Sequence, residues 1–218
     1  MGRKEEREVL IPAREANLSG ILYLPAMRRG IVVFVHGSGS GRFSPRNQFV
    51  ARFLQEGGIA TLLVDLLTDE EAAESKNVFD IVLLADRLLA NARWLKQQPE
   101  TKRLPLGYFG ASTGAGAALE AAARSSDNIA AIVSRGGRPD LASRYLPRVK
   151  APTLLIVGGE DKVVILLNQK AFGSLKCPKE LKIVPGASHL FEEPGTLDQV
   201  AQVARDWFLQ HFPSRETK

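Results

Sequence analysis

The residues of this 218-residue chain that could do chemistry fall mostly in six short segments, all but one of them containing glycine. They read His36-Gly37-Ser38-Gly39-Ser40, Asp65, Gly110-Ala111-Ser112-Thr113-Gly114, Ser134-Arg135-Gly136-Gly137-Arg138, Gly158-Gly159-Glu160-Asp161 and Pro185-Gly186-Ala187-Ser188-His189. A serine hydroxyl is a poor nucleophile at neutral pH until a base takes its proton. Ser112 stands in a Gly-x-Ser-x-Gly string, with an apolar run before it and an alanine-rich helical stretch after it. On a tight strand-to-helix turn such a serine exposes its Oγ above the sheet. Positions 110 and 114 must then be small, because side chains there would clash in the turn.

The base must come from three histidines. His211 falls on the apolar stripe of the last helix, which predicts a structural role. His36 closes the first buried run and is expected to shape the following loop through hydrogen bonds. His189 lies in a loop after the last apolar run and is the one free to accept the serine proton. An imidazole base needs a carboxylate to fix its tautomer and stabilise its charged form. Asp161 is the choice, with Glu160 its nearest rival and Asp140 a weaker one; Asp65 reads as a loop-capping carboxylate. Acyl transfer also needs donors aimed at the developing oxyanion. The backbone N–H groups of Ser38 and Thr113 suit that task, and Gly37, Gly39 and Gly41 allow close backbone approach. The Ser38 loop lacks the Gly-Lys-Ser/Thr ending of a nucleotide-binding P-loop.

What must position these residues is a repeated alternation of apolar run and helical pattern. The runs cover residues 31–35, 60–64, 104–109, 129–133, 153–157 and 181–184. Continuous β-branched and leucine-rich runs predict strands buried on both faces of a mostly parallel sheet. Residues 18–24 alternate and predict an antiparallel edge strand. Val78, Ile81, Val82, Ala85, Leu88, Leu89, Ala92 and Leu95 mark one helical stripe. Leu197, Val200, Ala201, Ala204, Trp207 and Phe208 mark another. The whole chain, 1–218, reads as one α/β domain with helices on both faces of the sheet, residues 1–8 and 213–218 being loose termini. Ligands of such sheets bind at the carboxyl ends of the strands, where the six segments lie.

With Ser112, Asp161 and His189 in that order, the sequence resembles the α/β-hydrolase superfamily, and within it the small dienelactone-hydrolase-type enzymes that lack a large lid. The similarity runs from His36-Gly37-Ser38-Gly39 through 110–114 and Gly159-x-Asp161 to His189. The resemblance implies an α/β-hydrolase fold and hydrolysis of an ester, lactone or thioester through a covalent acyl-enzyme. It carries over Ser112, Asp161 and His189 as a catalytic triad. Dienelactone hydrolases proper use a cysteine nucleophile, whereas this chain has serine there and its one cysteine, Cys177, lies elsewhere. Serine carboxylesterase chemistry is therefore the expectation, with no metal or organic cofactor.

Lysine and arginine number 29 against 24 acidic residues, a net charge of +5. Most of the excess sits between residues 135 and 150, where Arg135, Arg138, Arg144, Arg148 and Lys150 face one acid, Asp140. No basic run interleaved with aromatics appears, which argues against a nucleic-acid partner. Arg135 and Arg138 follow a strand's carboxyl end and could bind an anionic substrate group. A solvated face, with one arginine pairing to Asp140, is the competing reading. No apolar run approaches the roughly 20 residues needed to cross a bilayer, and the single cysteine suits a reducing, cytoplasmic compartment. A catalytically inactive binding module on the same fold is the alternative, and oligomeric state is open.

Overall fold

The computed structural model describes residues 4–213. An eight-stranded sheet runs through its centre in the order β1-β2-β4-β3-β5-β6-β7-β8. The strands are β1 (Glu5–Ala13), β2 (Ala16–Leu24), β3 (Gly30–Val35), β4 (Ile59–Val64), β5 (Leu106–Ala111), β6 (Ile129–Arg135), β7 (Thr153–Gly158) and β8 (Lys179–Val184). From β4 through β8 all neighbours are parallel, while β1–β2 and β2–β4 are antiparallel. Every residue of β3, β4, β5 and β7 is buried. That is why their sequences are continuous apolar runs: helices cover both faces, leaving no solvent side to call for polar residues.

On one face lie α1 (Pro45–Glu56) and α7 (Thr196–His211), which bury Val50, Leu54, Val200, Ala204 and Phe208 against Val32, Phe34 and Phe109. On the other lie α4 (Ile81–Gln97), α5 (Thr113–Arg124) and α6 (Lys162–Ser174), over Val33, Val35, Tyr108 and Ile132. Each fully buried leucine, valine or phenylalanine contributes roughly 1.5–3 kcal/mol, so the two apolar layers dominate the fold's stability. Two short helices, α2 (Asp69–Ala73) and α3 (Ser75–Val78), precede α4. Among the described residues no helix is long and apolar enough to cross a membrane.

Four expectations are corrected. The alternating stretch at 18–24 is antiparallel as expected, but it is not the edge: β1 pairs along its outer side from Glu5↔Leu24 to Ala13↔Ala16. Residues 5–8, expected to be loose, therefore form the start of β1, while residues 1–3 and 214–218 lie outside the described residues. Where the alternation of apolar run and helical pattern calls for a crossover helix between β6 and β7, the link holds two 3-10 turns instead, Pro139–Ala142 and Leu146–Arg148. Pro139 and Pro147 each lack the N–H that a continuing helix would need, and they sit in the first turn of each piece. The stripe drawn from Val78 to Leu95 is also broken, at Asp80, whose side chain accepts from Leu83 N–H and caps α4.

From β3 the chain crosses by α1 to β4 on one side, then by α4 to β5 on the other. The loops leaving the carboxyl ends of β3 and β5 thus diverge, which opens a crevice between them. Val35 and Gly110 are register partners there, so His36–Gly41 and Ser112 emerge side by side.

Candidate active site

Ser112 caps the N-terminus of α5 with φ 49° and ψ −123°, a backbone geometry that non-glycine residues rarely adopt. Strain of this kind costs on the order of 1–3 kcal/mol and persists only where the surroundings enforce it. The surroundings here are tight. A Cβ at Gly110 would stand 2.5 Å from Ala115 Cα, and one at Gly114 would run into the Val35 carbonyl oxygen. Ser112 N–H donates to the Arg135 carbonyl at 3.2 Å, and its own carbonyl accepts from Ala115 at 3.1 Å and Arg138 at 3.0 Å. The elbow is thereby fastened to α5 and to the end of β6.

Asp161 and His189 are brought together: His189 Nδ1 lies 2.6 Å from Asp161 Oδ2. Asp161 also caps α6, its Oδ1 accepting from Val164 N–H at 3.4 Å. One carboxylate oxygen serves the helix and the other the imidazole. The rival Glu160 points to solvent with its side chain 63% exposed, and Asp140 pairs with Arg138. The His189 loop crosses directly over the end of β7, where a Cβ at Gly158 would strike the carbonyls of Ala187 and Ser188. Glu193 steadies the same loop by accepting from Ser188 N–H at 3.0 Å. The His189 ring faces Gly136, whose absent Cβ would sit 3.5 Å from Cε1. Among the described residues no hydrogen bond joins His189 to Ser112. Catalytic hydrogen bonds are often long without substrate, so this spacing is compatible with a base.

In the loop after β3, Ser38 N–H donates to Thr113 Oγ1 at 3.0 Å. Gly37 packs so closely on the elbow that a Cβ there would be 2.9 Å from Ser112 Cβ. His36 Nδ1 lies 3.0 Å from the Gly37 carbonyl and Nε2 3.6 Å from Asp65 Oδ1, so His36 shapes the loop. Asp65 holds the loop's far end by accepting from the Arg42 N–H at 2.6 Å and pairing with its guanidinium. His211 packs edge-on against Trp207 at 4.3 Å, and burial lowers its pKa, which fits a structural residue.

The two arginines part ways. Arg138 donates Nε and Nη2 to the two oxygens of Asp140, each at 2.8 Å, which occupies its bidentate edge. Arg135 is only 8% exposed and joins no ion pair among the described residues. Burial first, then the nearby Arg46, pulls its pKa down to about 10. The sequence did not single out Arg46, although the Ser44-Pro45 pair just before it is a helix-start signal. Glu193 carried no such signal.

Strand order, helices on both faces and a strained serine at the β5–α5 turn define an α/β-hydrolase fold without a large lid among the described residues. The dienelactone hydrolase family model matches residues 18–212, and the chain belongs to that family. A dienelactone hydrolase structure from Anabaena variabilis superposes with a TM-score of 0.93 at 53% identity, covering 96% of this chain and 99% of that one. Est1E from Butyrivibrio proteoclasticus shares the fold at 16% identity, with a TM-score of 0.81 over 94% of this chain and 98% of its own. A Mycobacterium tuberculosis H37Rv protein named "Putative phosphoribosyl transferase" is 58% identical over 207 residues, 95% of this chain. The chain spans 47% of that relative, about half its length. The family match and the Anabaena neighbour support a hydrolase reading of this chain.

Proposed function

We propose that the chain is a serine hydrolase that cleaves a small ester, lactone or thioester through an acyl-enzyme on Ser112. The observation that carries this reading is the 2.6 Å contact between His189 Nδ1 and Asp161 Oδ2. It leaves Nε2 as the free basic nitrogen of a loop that crosses the end of β7 and faces Gly136, next to the residue whose carbonyl holds the Ser112 amide. In the first half-reaction the Ser112 oxygen bonds to the substrate carbonyl carbon while its proton passes to His189 Nε2. The oxyanion is held by the Thr113 N–H, which belongs to the orphan donors of α5's first turn, and by the Ser38 N–H. Collapse breaks the bond to the leaving group, which takes the proton from His189. Water then attacks the acyl-enzyme and gives its proton to His189. Release of the acid returns that proton to Ser112 Oγ.

The name of the mycobacterial relative belongs to a protein twice as long, and the segment matched here is the one that the hydrolase family covers. No step in the reading requires a metal or an organic cofactor. A fluorophosphonate probe tests it, because only an activated serine labels. Labelling of the wild type and none of Ser112→Ala, with esterase activity following the label, is the expected result. An active Ser112→Ala protein overturns the mechanism.

A further inference from the structure

Asn168 is the one polar residue on the buried stripe of α6, which otherwise consists of Val164 and Ala171. It is fully buried, and its Nδ2 makes two hydrogen bonds. One goes to the Val164 carbonyl a turn back in the helix, at 2.8 Å. The other goes to the Gly137 carbonyl in the link from β6 to β7, at 2.9 Å. Its Oδ1 is enclosed with no hydrogen-bond partner. An amide left half-satisfied in a core is costly, so an apolar side chain would serve the packing of α6 better. What asparagine adds is the bond to Gly137. Among the described residues no other hydrogen bond joins α6 to residues 136–152.

Both ends of that bond lead to the candidate triad. At one end, Gly137 stands between residues that hold Ser112: the Arg135 carbonyl accepts from the Ser112 amide at 3.2 Å, and the Arg138 N–H donates to the Ser112 carbonyl at 3.0 Å. Gly136, at φ 52°, lies against the His189 ring. At the other end, residues 161, 164 and 168 fall at i, i+3 and i+7, on one face of the helix. They are chained, since Val164 N–H donates to Asp161 Oδ1 at 3.4 Å and Asn168 donates to the Val164 carbonyl. Asp161 in turn holds His189. The serine thus rides on β5 and α5, while its base is held from α6, and no hydrogen bond joins His189 to Ser112 among the described residues.

We propose that Asn168 is a positioning residue for the triad: its bond to Gly137 fastens the helix that carries Asp161, and through it His189, to the segment that holds Ser112. This rests on the serine-hydrolase reading above. A misplacement of about 1 Å between base and nucleophile lowers turnover on the order of a hundredfold, so loss of the bond acts on kcat rather than KM. A merely structural amide affects stability alone. Asn91 of α4 supplies the comparison: it is fully buried, donates Nδ2 to the Arg87 carbonyl one turn back at 2.8 Å, and has an enclosed, unpartnered Oδ1. It has the same chemistry without the bond to another element.

The test sets Asn168→Leu beside Asn91→Leu, reading 4-nitrophenyl acetate hydrolysis, the rate of fluorophosphonate labelling and urea unfolding on each. Whatever either substitution does to stability, only Asn168→Leu should lower kcat, by about tenfold to a hundredfold with KM within about twofold of wild type, and slow labelling in parallel. In an Asp161→Asn background the same substitution should cost less than about twofold, because the acid it positions is already lost. A folded Asn168→Leu protein with wild-type kcat, an equal loss in Asn91→Leu, or the full loss repeated in the Asp161→Asn background overturns the positioning role. If Asn168→Leu does not fold, Asn168→Ala, which adds no volume to the core, carries the same comparisons. Wild type and Asn168→Leu labelled equally fast sink the positioning role alone. A wild type that does not label sinks the hydrolase reading, and the positioning role falls with it.

Discussion

The amide of Ser38 donates to the hydroxyl of Thr113 across 3.0 Å, so the two residues assigned as oxyanion donors are joined to each other in the resting structure. A neutral hydrogen bond contributes only about 0.5–1.5 kcal/mol net, whereas an oxyanion-hole contact contributes roughly 2.7–4 kcal/mol in the transition state. In the proposed mechanism the oxyanion would therefore win the Ser38 amide during reaction, the Thr113 hydroxyl holding the loop in place until then. Thr113→Val should lower kcat about tenfold with KM little changed, and Thr113→Ser should restore most of it. Equal kcat in Thr113→Val and wild type would show that the hydroxyl positions nothing.

Asp161 caps α6 with one oxygen and holds His189 with the other, and the two duties separate by substitution. Asn is as good a helix cap as Asp, so Asp161→Asn should keep stability within about 1 kcal/mol. Its kcat should fall on the order of 10³–10⁴-fold, since the amide supports the wrong imidazole tautomer. Asp161→Ala should lose activity and also about 0.5–2 kcal/mol of stability. Urea unfolding alongside kinetics reads both, and an active Asp161→Asn enzyme would move the orienting role elsewhere.

Burial pulls the pKa of Arg135 below the usual arginine range to about 10, so the folded state resists its charged form. That penalty is present in full below pH 10 and fades as pH rises above it. At 1.36 kcal/mol per pKa unit it amounts to about 3 kcal/mol at neutral pH. Arg135→Met keeps the packing stem and removes the charge, so it should raise unfolding free energy at pH 7 by about 1–3 kcal/mol. A variant less stable than wild type in urea would show that the charge is compensated.

The elbow predicts a different failure. A Cβ at Gly114 would enter the Val35 carbonyl, backbone against backbone, with no side chain able to move aside. Gly114→Ala should be destabilised by about 3 kcal/mol or more and accumulate as insoluble protein. A soluble variant with wild-type Tm would mean that the β3–α5 contact is looser than the structure has it.

The central parallel strands were legible because each is buried on both faces, and the candidate chemistry was legible because it follows their carboxyl ends. β1 was not, since its first four residues are Glu5, Glu6, Arg7 and Glu8 and only its later inward positions, Ile11 and Ala13, are buried. Glu160 and Asp161 are equivalent as letters; the α6 cap and the His189 bond tell them apart, and both need three dimensions. Arginines 135 and 138 likewise look alike in sequence. Strand alternation sends one into the α1/α7 layer, and the turn after β6 sends the other to Asp140.

The two outer strands of the sheet, β1 and β8, both carry charged side chains: Glu5, Glu6, Arg7 and Glu8 in the first half of β1, and Lys179, Glu180 and Lys182 on β8. Unpaired strand edges are templates on which another chain can condense, and charge is the usual deterrent. A sheet whose middle is largely apolar thus carries charge on both outer strands, which resists further strand addition. The same composition that hides β1 from a hydrophobic reading works against fibril-like growth of the sheet at high concentration.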